Sequence, residues 1–397
     1  MNLNQTISLL TTMLLLFGCE KIIPVAPAEN ELLDGPTEGL TQSQQAQFLA
    51  GDVAFNDEVF SKETGLGPLF VATSCGSCHA GDGKGHPFTT LTRFGQTLPN
   101  TPPDLTIGGP QLQQRAVPGF EPERIPEGTP SMNFTPPAVT GLGFLEALTD
   151  EQILANSDPN DTDGDGISGV PNYITPPSYF NPRADHQPVA GQYIGRFGKK
   201  GAAIDLLQQT VGAYNQDMGV TSTFEPVDTH SGFSTDPEVS DQTVRDVVFY
   251  LQTLKAPLPR DENDPSVISG KALFSNIDCS ACHIPTFTTP QNPNAALSNK
   301  TIYPYTDLLL HDMGPGLDDG VTEGSAETFE WRTPPLWGLG LSPNSQGGEF
   351  FLMHDGRAKS IEEAILLHGG EAQASRDAYS AMSETEKEDL IAFLKSL

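Results

Sequence analysis

Two stretches combine chemically active residue types at a demanding spacing: Cys75-Gly76-Ser77-Cys78-His79 and Cys279-Ser280-Ala281-Cys282-His283. Two thiols three positions apart with a histidine directly after them is the arrangement that attaches c-type haem. The thiols reach the vinyl groups on one edge of the porphyrin while the imidazole turns under the iron as proximal ligand. Zinc would require the two cysteine pairs to meet from opposite halves of the chain, and gives no reason for a histidine after each. A redox dithiol expects a βαβ setting, whereas the flanks here are rich in Gly and Pro. The reading is two covalently attached haem c groups, with Cys75, Cys78, Cys279 and Cys282 as attachment points and His79 and His283 as axial ligands.

A second cluster lies at 158–168, where Asp161, Asp163 and Asp165 alternate before a glycine. Hard-cation loops present several oxygens in this way. No glutamate closes the loop, and Ile167 sits one place early for an EF-hand, so calcium and a solvated acidic turn both stay open. Cys19 is the one cysteine outside the haem motifs. It follows an apolar run, 9–17, too short to span a bilayer, and Leu16-Phe17-Gly18-Cys19 resembles a bacterial lipobox. The expectation is a lipoprotein-type signal peptide over 1–19, lipidation of Cys19, a linker over 20–45, and a protein anchored to the membrane in the bacterial periplasm.

The elements that must position these residues are helical. The chain has 397 residues, with 51 acidic side chains against 21 basic ones and a formal net charge of −30. That surface repels nucleic acid and suits a cationic redox partner, such as a basic cytochrome or another electron-transfer protein. With 39 Gly and 34 Pro, long loops are expected. Helical patterning begins near Thr41 and carries Phe48, Leu49, Val53, Phe55 and Phe60; 81–130 reads as loop, and 140–154 as a turn and short helix. An amphipathic helix is predicted over 241–254, and Ser383-Glu384-Thr385-Glu386 is a capping box opening a last helix. The endings Val248–Leu254 and Ile391–Leu397 match each other, and Leu69-Phe70 and Leu273-Phe274 each stand six residues before a haem cysteine. These matches indicate an internal repeat. The predicted fold is mainly α: two cytochrome-c-like haem domains, 46–255 and 266–397, with long Pro/Gly-rich loop insertions and the 46–255 unit carrying the larger one.

Trp331-Arg332-Thr333-Pro334-Pro335-Leu336-Trp337-Gly338-Leu339-Gly340, His354-Asp355-Gly356-Arg357-Ala358 and Ile361-Glu362-Glu363-Ala364-Ile365 resemble the C-terminal half of bacterial di-haem cytochrome c peroxidases. They are most similar to the relatives called the di-haem oxidoreductase or "thiol oxidoreductase" family. Pro137-Ala138-Val139-Thr140-Gly141-Leu142-Gly143, Asp163–Gly169 and Gly195-Arg196-Phe197-Gly198 extend the resemblance. It implies one haem open for chemistry and another that relays electrons. It places His368 where the peroxidases carry a methionine, as the distal ligand of the C-terminal haem, which would hold that iron low-spin. It also calls for a distal acid or base to move the peroxide proton, for which Glu146 is the candidate. Related enzymes set a tryptophan between the haems from their N-terminal half; here Trp331 and Trp337 lie in the C-terminal half, and one of them or Tyr250 would have to serve. His354 and His311 are expected near a propionate or the domain interface, His186 and His230 on the surface, and Met218 and Met313 in cores.

The leading expectation is an exported di-haem c-type oxidoreductase that reduces peroxide or another small oxidant at the N-terminal haem. The alternative is an electron-transfer cytochrome without turnover, serving a membrane or iron-uptake system; an oxidase acting on a protein substrate is a third.

Overall fold

The computed structural model describes residues 27–103 and 105–397. Cys19, the apolar run 9–17 and the start of the linker lie outside the described residues.

Two helix pairs frame the molecule, and each joins the two ends of one half of the chain. Helix Gln42–Asp52 opens with Thr41, whose hydroxyl accepts from the Gln44 N–H while the Gln44 side chain accepts from the Thr41 N–H at 2.9 Å. This reciprocal cap satisfies two orphan donors. The helix packs on helix Asp241–Thr253, which turns Val244, Val247, Val248 and Leu251 inward. Gly51 marks the crossing, since a Cβ there would overlap the Asp246 carbonyl. The second pair repeats the design. Helix Pro265–Asn276 packs on helix Glu384–Ser396, and a Cβ on Gly270 would overlap the Asp389 carbonyl. Ser383 and Glu386 form the predicted capping box.

The structure corrects the register of the repeat. Leu69–Phe70 is a short strand paired with Arg115–Ala116, whereas Leu273 and Phe274 lie inside a helix. Gly67 and Pro68 keep the first segment extended, while Asp264 caps and Pro265 opens the second as a helix. The strings that match in space are Gly51-Asp52-Val53-Ala54-Phe55 and Gly270-Lys271-Ala272-Leu273-Phe274. Each sets its glycine at the helix crossing and its phenylalanine against a motif histidine: Phe55 to His79 at 5.8 Å and Phe274 to His283 at 6.3 Å between ring centroids.

Most of the remaining chain is ordered loop, tied together by two-stranded antiparallel ladders such as Leu91–Phe94 with Ser131–Phe134 and Leu310–Asp312 with Glu330–Arg332. The largest apolar cluster takes Phe48, Leu145 and Val247 from the first half and Leu297, Leu309 and Trp337 from the second, so the halves share a core. The predicted linker is docked from residue 33 onward. Leu33 and Leu40 are buried, and the Thr37 N–H and the Lys255 N–H donate to the Thr253 and Gly35 carbonyls at 2.7 and 3.0 Å. Backbone groups that find such partners do not behave as a free tether. Among the described residues, no helix is long and apolar enough to cross a membrane.

Candidate functional site

Each pentad closes as one tight turn. The N–H groups of Cys78 and His79 both donate to the Cys75 carbonyl at 3.0 Å, and the His283 N–H donates to the Cys279 carbonyl at 3.0 Å. The turn presents both thiols and the imidazole on one side. His79 Nδ1 stands 2.9 Å from the Pro137 carbonyl, and His283 Nδ1 stands 2.9 Å from the Tyr305 carbonyl. A carbonyl can only accept, so Nδ1 carries the hydrogen and the Nε2 lone pair is left for a metal. A carbonyl holding Nδ1–H in this way is what orients metal-bound histidines. Burial pushes both imidazoles down to about 4, so they are neutral at physiological pH.

The thiols are poorly suited to thiolate chemistry. Burial pushes Cys75 and Cys279 up to about 12 and Cys78 up to about 11. Reactive and zinc-bound cysteines need the opposite environment. Among the described residues, the two pairs do not come together as a zinc site would require.

His368 follows helix Ile361–Leu366 and has the same anchoring: its Nδ1 donates to the Ala364 carbonyl at 2.7 Å, and burial holds it below its ordinary value. It is near enough that its charge acts on His283. Close by, His311 is bound on both nitrogens, by Asp307 at 2.8 Å and Glu371 at 2.6 Å, with Cys282 Sγ 3.6 Å away. Burial opposes its charge, but these partners outweigh burial and keep it protonated well above its usual range.

Beside Pro137 lies a cavity of about 280 Å³, walled by Phe134, Thr135 and Tyr179 and by the polar groups Arg93, Gln111 and Asp217. Among the described residues, no histidine, methionine or cysteine lines it. Asp217 ends a π-helical turn, Ala213–Asp217, and its carboxylate accepts from the Gln111 amide. Burial pushes Asp217 up to about 6. Across the cavity Arg93 pairs with Glu323 at 3.2 Å.

Glu146 is elsewhere. Its two oxygens accept from the Leu206 N–H at 2.8 Å and the Gln252 amide at 2.7 Å, which joins three segments and leaves no oxygen facing the cavity. Asp161, Asp163 and Asp165 are exposed, and each can offer an oxygen within 4.8 Å of the others. His354 stacks on Trp331 and binds Asp319 at 2.8 Å. Met218 packs in a core with Phe60 and Tyr214. His186 lies on Phe180 and His230 against Phe120.

Of the aromatic candidates, Trp331 has the connecting position. It stands opposite His311 in the Leu310–Asp312/Glu330–Arg332 ladder, and its ring meets Phe134, a wall of the cavity, at 5.9 Å. Trp337 packs over Gly141, and Tyr250 donates to Asp82 at 2.6 Å behind Phe55. Asp217, Gln111 and Arg93 were not singled out by sequence reasoning. They come from separate segments, and none has a distinctive neighbour.

A family model described as "Di-haem oxidoreductase, putative peroxidase" matches residues 132–397. The match contains the second pentad and His368; the first pentad precedes it. No curated protein matches. Two solved structures are similar over 94% of this chain, each at 14% identity. One is a Kuenenia stuttgartiensis hydrazine synthase pressurised with xenon, with 98% of that chain covered and a TM-score of 0.37. The other is a MauG-like protein associated with microbial copper homeostasis, with 95% covered and a TM-score of 0.41.

Proposed function

This chain belongs to the di-haem oxidoreductase family matched over 132–397, and we propose that it is a peroxidase-like member reducing peroxide or another small oxidant at the His79 haem. In this reading His283 and His368 are the residues that would hold the second haem, which would supply electrons. The observation that carries it is the asymmetry of the two histidine settings. Three imidazoles have Nδ1 fixed by a backbone carbonyl and Nε2 left over, and one of them, His368, acts electrostatically on another, His283. The third, His79, is fixed by Pro137, a wall of a cavity lined by no histidine, methionine or cysteine among the described residues. Each half is then a cytochrome-c-like unit built on its own helix pair.

Bound haem would supply the redox chemistry, which the chain alone cannot perform. The chain supplies positions and protons. Reduction of a peroxide to water takes two electrons and two protons. Pro137 fixes the His79 ring; Asp217, raised to about 6 by burial and largely ionised at neutral pH, can accept a proton from the entering peroxide and return it to the leaving oxygen. Gln111 fixes the carboxylate, and Arg93, paired with Glu323 in the same wall, presents guanidinium hydrogens to the cavity. Trp331 gives electrons a packed route between the Cys282 side and the cavity. In addition we propose export and tethering through Cys19, with a cationic redox partner on the acidic surface.

The test is an EPR spectrum of the resting ferric protein, alongside a pyridine haemochrome count. Two covalent haems, one low-spin and one high-spin, with peroxide altering the high-spin signal, is the expected result. Two low-spin haems inert to peroxide would favour the electron-transfer reading, and zinc without haem would refute both.

A further inference from the structure

Three cations meet inside the molecule, and among the described residues none of them forms an ion pair. Lys199 lines the cavity beside Pro137, and among the described residues its Nζ makes no hydrogen bond or ion pair. Arg332 lies against it: its backbone N–H donates to the Lys199 carbonyl at 3.1 Å, and its Nε donates to the Gly198 carbonyl at 2.9 Å. Lys84 reaches in from the segment after the first pentad, with only the Met353 carbonyl near its Nζ, at 3.5 Å. The neighbouring His354 carbonyl is bound by Thr135, another wall of the same cavity. The carboxylates nearest in effect, Asp355 and Asp307, are already committed to Arg357 and His311.

This is a strange use of charge in a chain with 51 acidic and 21 basic side chains. Carboxylates are plentiful, yet among the described residues none pairs directly with these three cations. Burial lowers all three, and Lys84 and Arg332 press Lys199 further down. Buried charge of one sign is costly unless something external neutralises it. The cavity is also polarised: Asp217 acts on Cys75 and Cys78, whereas Lys199 acts on His79. A haem joined to those cysteines by its vinyl edge carries its two carboxylates on the opposite edge.

We propose that Lys84, Lys199 and Arg332 form a carboxylate cradle for the propionates of the haem attached at Cys75 and Cys78, an inference that rests on reading the first pentad as a haem site. Arg332 can offer a planar fork, and the two lysines act as point charges. The cradle fixes the rotation of the haem in its plane, neutralises the propionates, and keeps their charge from depressing the potential of the iron. A small dianion from solution shares this chemistry, and the experiment separates the two sources.

The experiment uses the haem-loaded protein and the variants Lys199→Met, Arg332→Met and Arg332→Lys. A haemochrome count comes first: loss of haem from Cys75 and Cys78 in the unaltered protein overturns the cradle together with the haem reading. With two haems present, each Met variant should shift the midpoint potential of the His79 haem negative and lower the melting temperature, and Arg332→Lys should restore most of both. Met variants that melt higher than the parent with an unmoved potential would overturn the cradle alone, because the cations would then merely repel one another. Added inorganic phosphate should leave the parent unchanged. A saturable stabilisation by phosphate that disappears in Lys199→Met would assign the cradle to a solution anion and overturn the propionate proposal.

Discussion

Trp331 and His354 lie face to face, with ring centroids 3.6 Å apart and planes inclined by 10°. The Lys200 ammonium sits 4.0 Å from the indole centroid, and the indole N–H donates to the Leu317 carbonyl at 2.8 Å. The ring is therefore fixed on both faces and along one edge. Replacing Trp331 with Phe keeps an aromatic ring but deletes the N–H bond, which should cost about 1 kcal/mol. Electron passage to the His79 haem after photoreduction of the other haem should slow, as read by transient absorption. An unchanged rate would exclude Trp331 as the route.

His368→Ala removes an imidazole with its Nδ1 anchored at Ala364 and its charge felt at His283. The low-spin EPR signal should convert to high-spin, and both haems should stay covalently attached. A low-spin signal that survives the change would mean that another residue ligates this iron.

Asp217 makes a signed prediction about pH. Its carboxyl is raised from 3.8 to about 6, so between these values the folded chain holds a proton that the unfolded chain has released. Its contribution to stability therefore falls as pH rises from about 4 to 6, and Asp217→Asn should flatten that part of the stability profile. If the carboxylate is the proton acceptor, peroxide kcat/KM in the parent should drop below about pH 6, and Asn should lose about 100-fold at neutral pH. Full activity in the Asn variant would exclude the role.

The loop of Asp161, Asp163 and Asp165 is tied to the His368 side of the molecule, because Ser168 N–H donates to Glu371 at 3.2 Å. If calcium binds there, chelation should lower the melting temperature and readdition should restore it; calcium at a hundred times its Kd would contribute about 2.7 kcal/mol. A melt that ignores chelator, in protein found free of metal, would leave only the solvated turn.

What the sequence displayed plainly was whatever lies on consecutive residues. The pentads, the capping box at Ser383 and the amphipathic face of Asp241–Thr253 are local, and the structure forms each turn and helix where the pattern placed it. His368 was legible only by analogy, through its distance from His354. Asp217 and the cation trio were not legible. Their partners come from distant loops, and nothing local distinguishes Lys199 from Lys200, although only Lys200 has three carbonyls around its ammonium. The repeat was visible but misaligned, because Leu69-Phe70 and Leu273-Phe274 share letters while Gly67 and Pro68 force the first pair into a strand. Glu146 carried the right chemistry for an acid, but both of its oxygens hold backbone and amide hydrogens.

The glycine crossings also set a schedule for folding. Gln47 donates to Asp246 at 3.0 Å from 199 residues away, so the first helix pair can close only after most of its half has been synthesised. Contacts of such long range form slowly. Until then Cys75 and Cys78 sit on an open chain. Once Gly51 has seated against Asp246, both thiols are partly buried beneath the helix pair. If the first pentad carries haem, attachment is therefore expected before the helix pair closes.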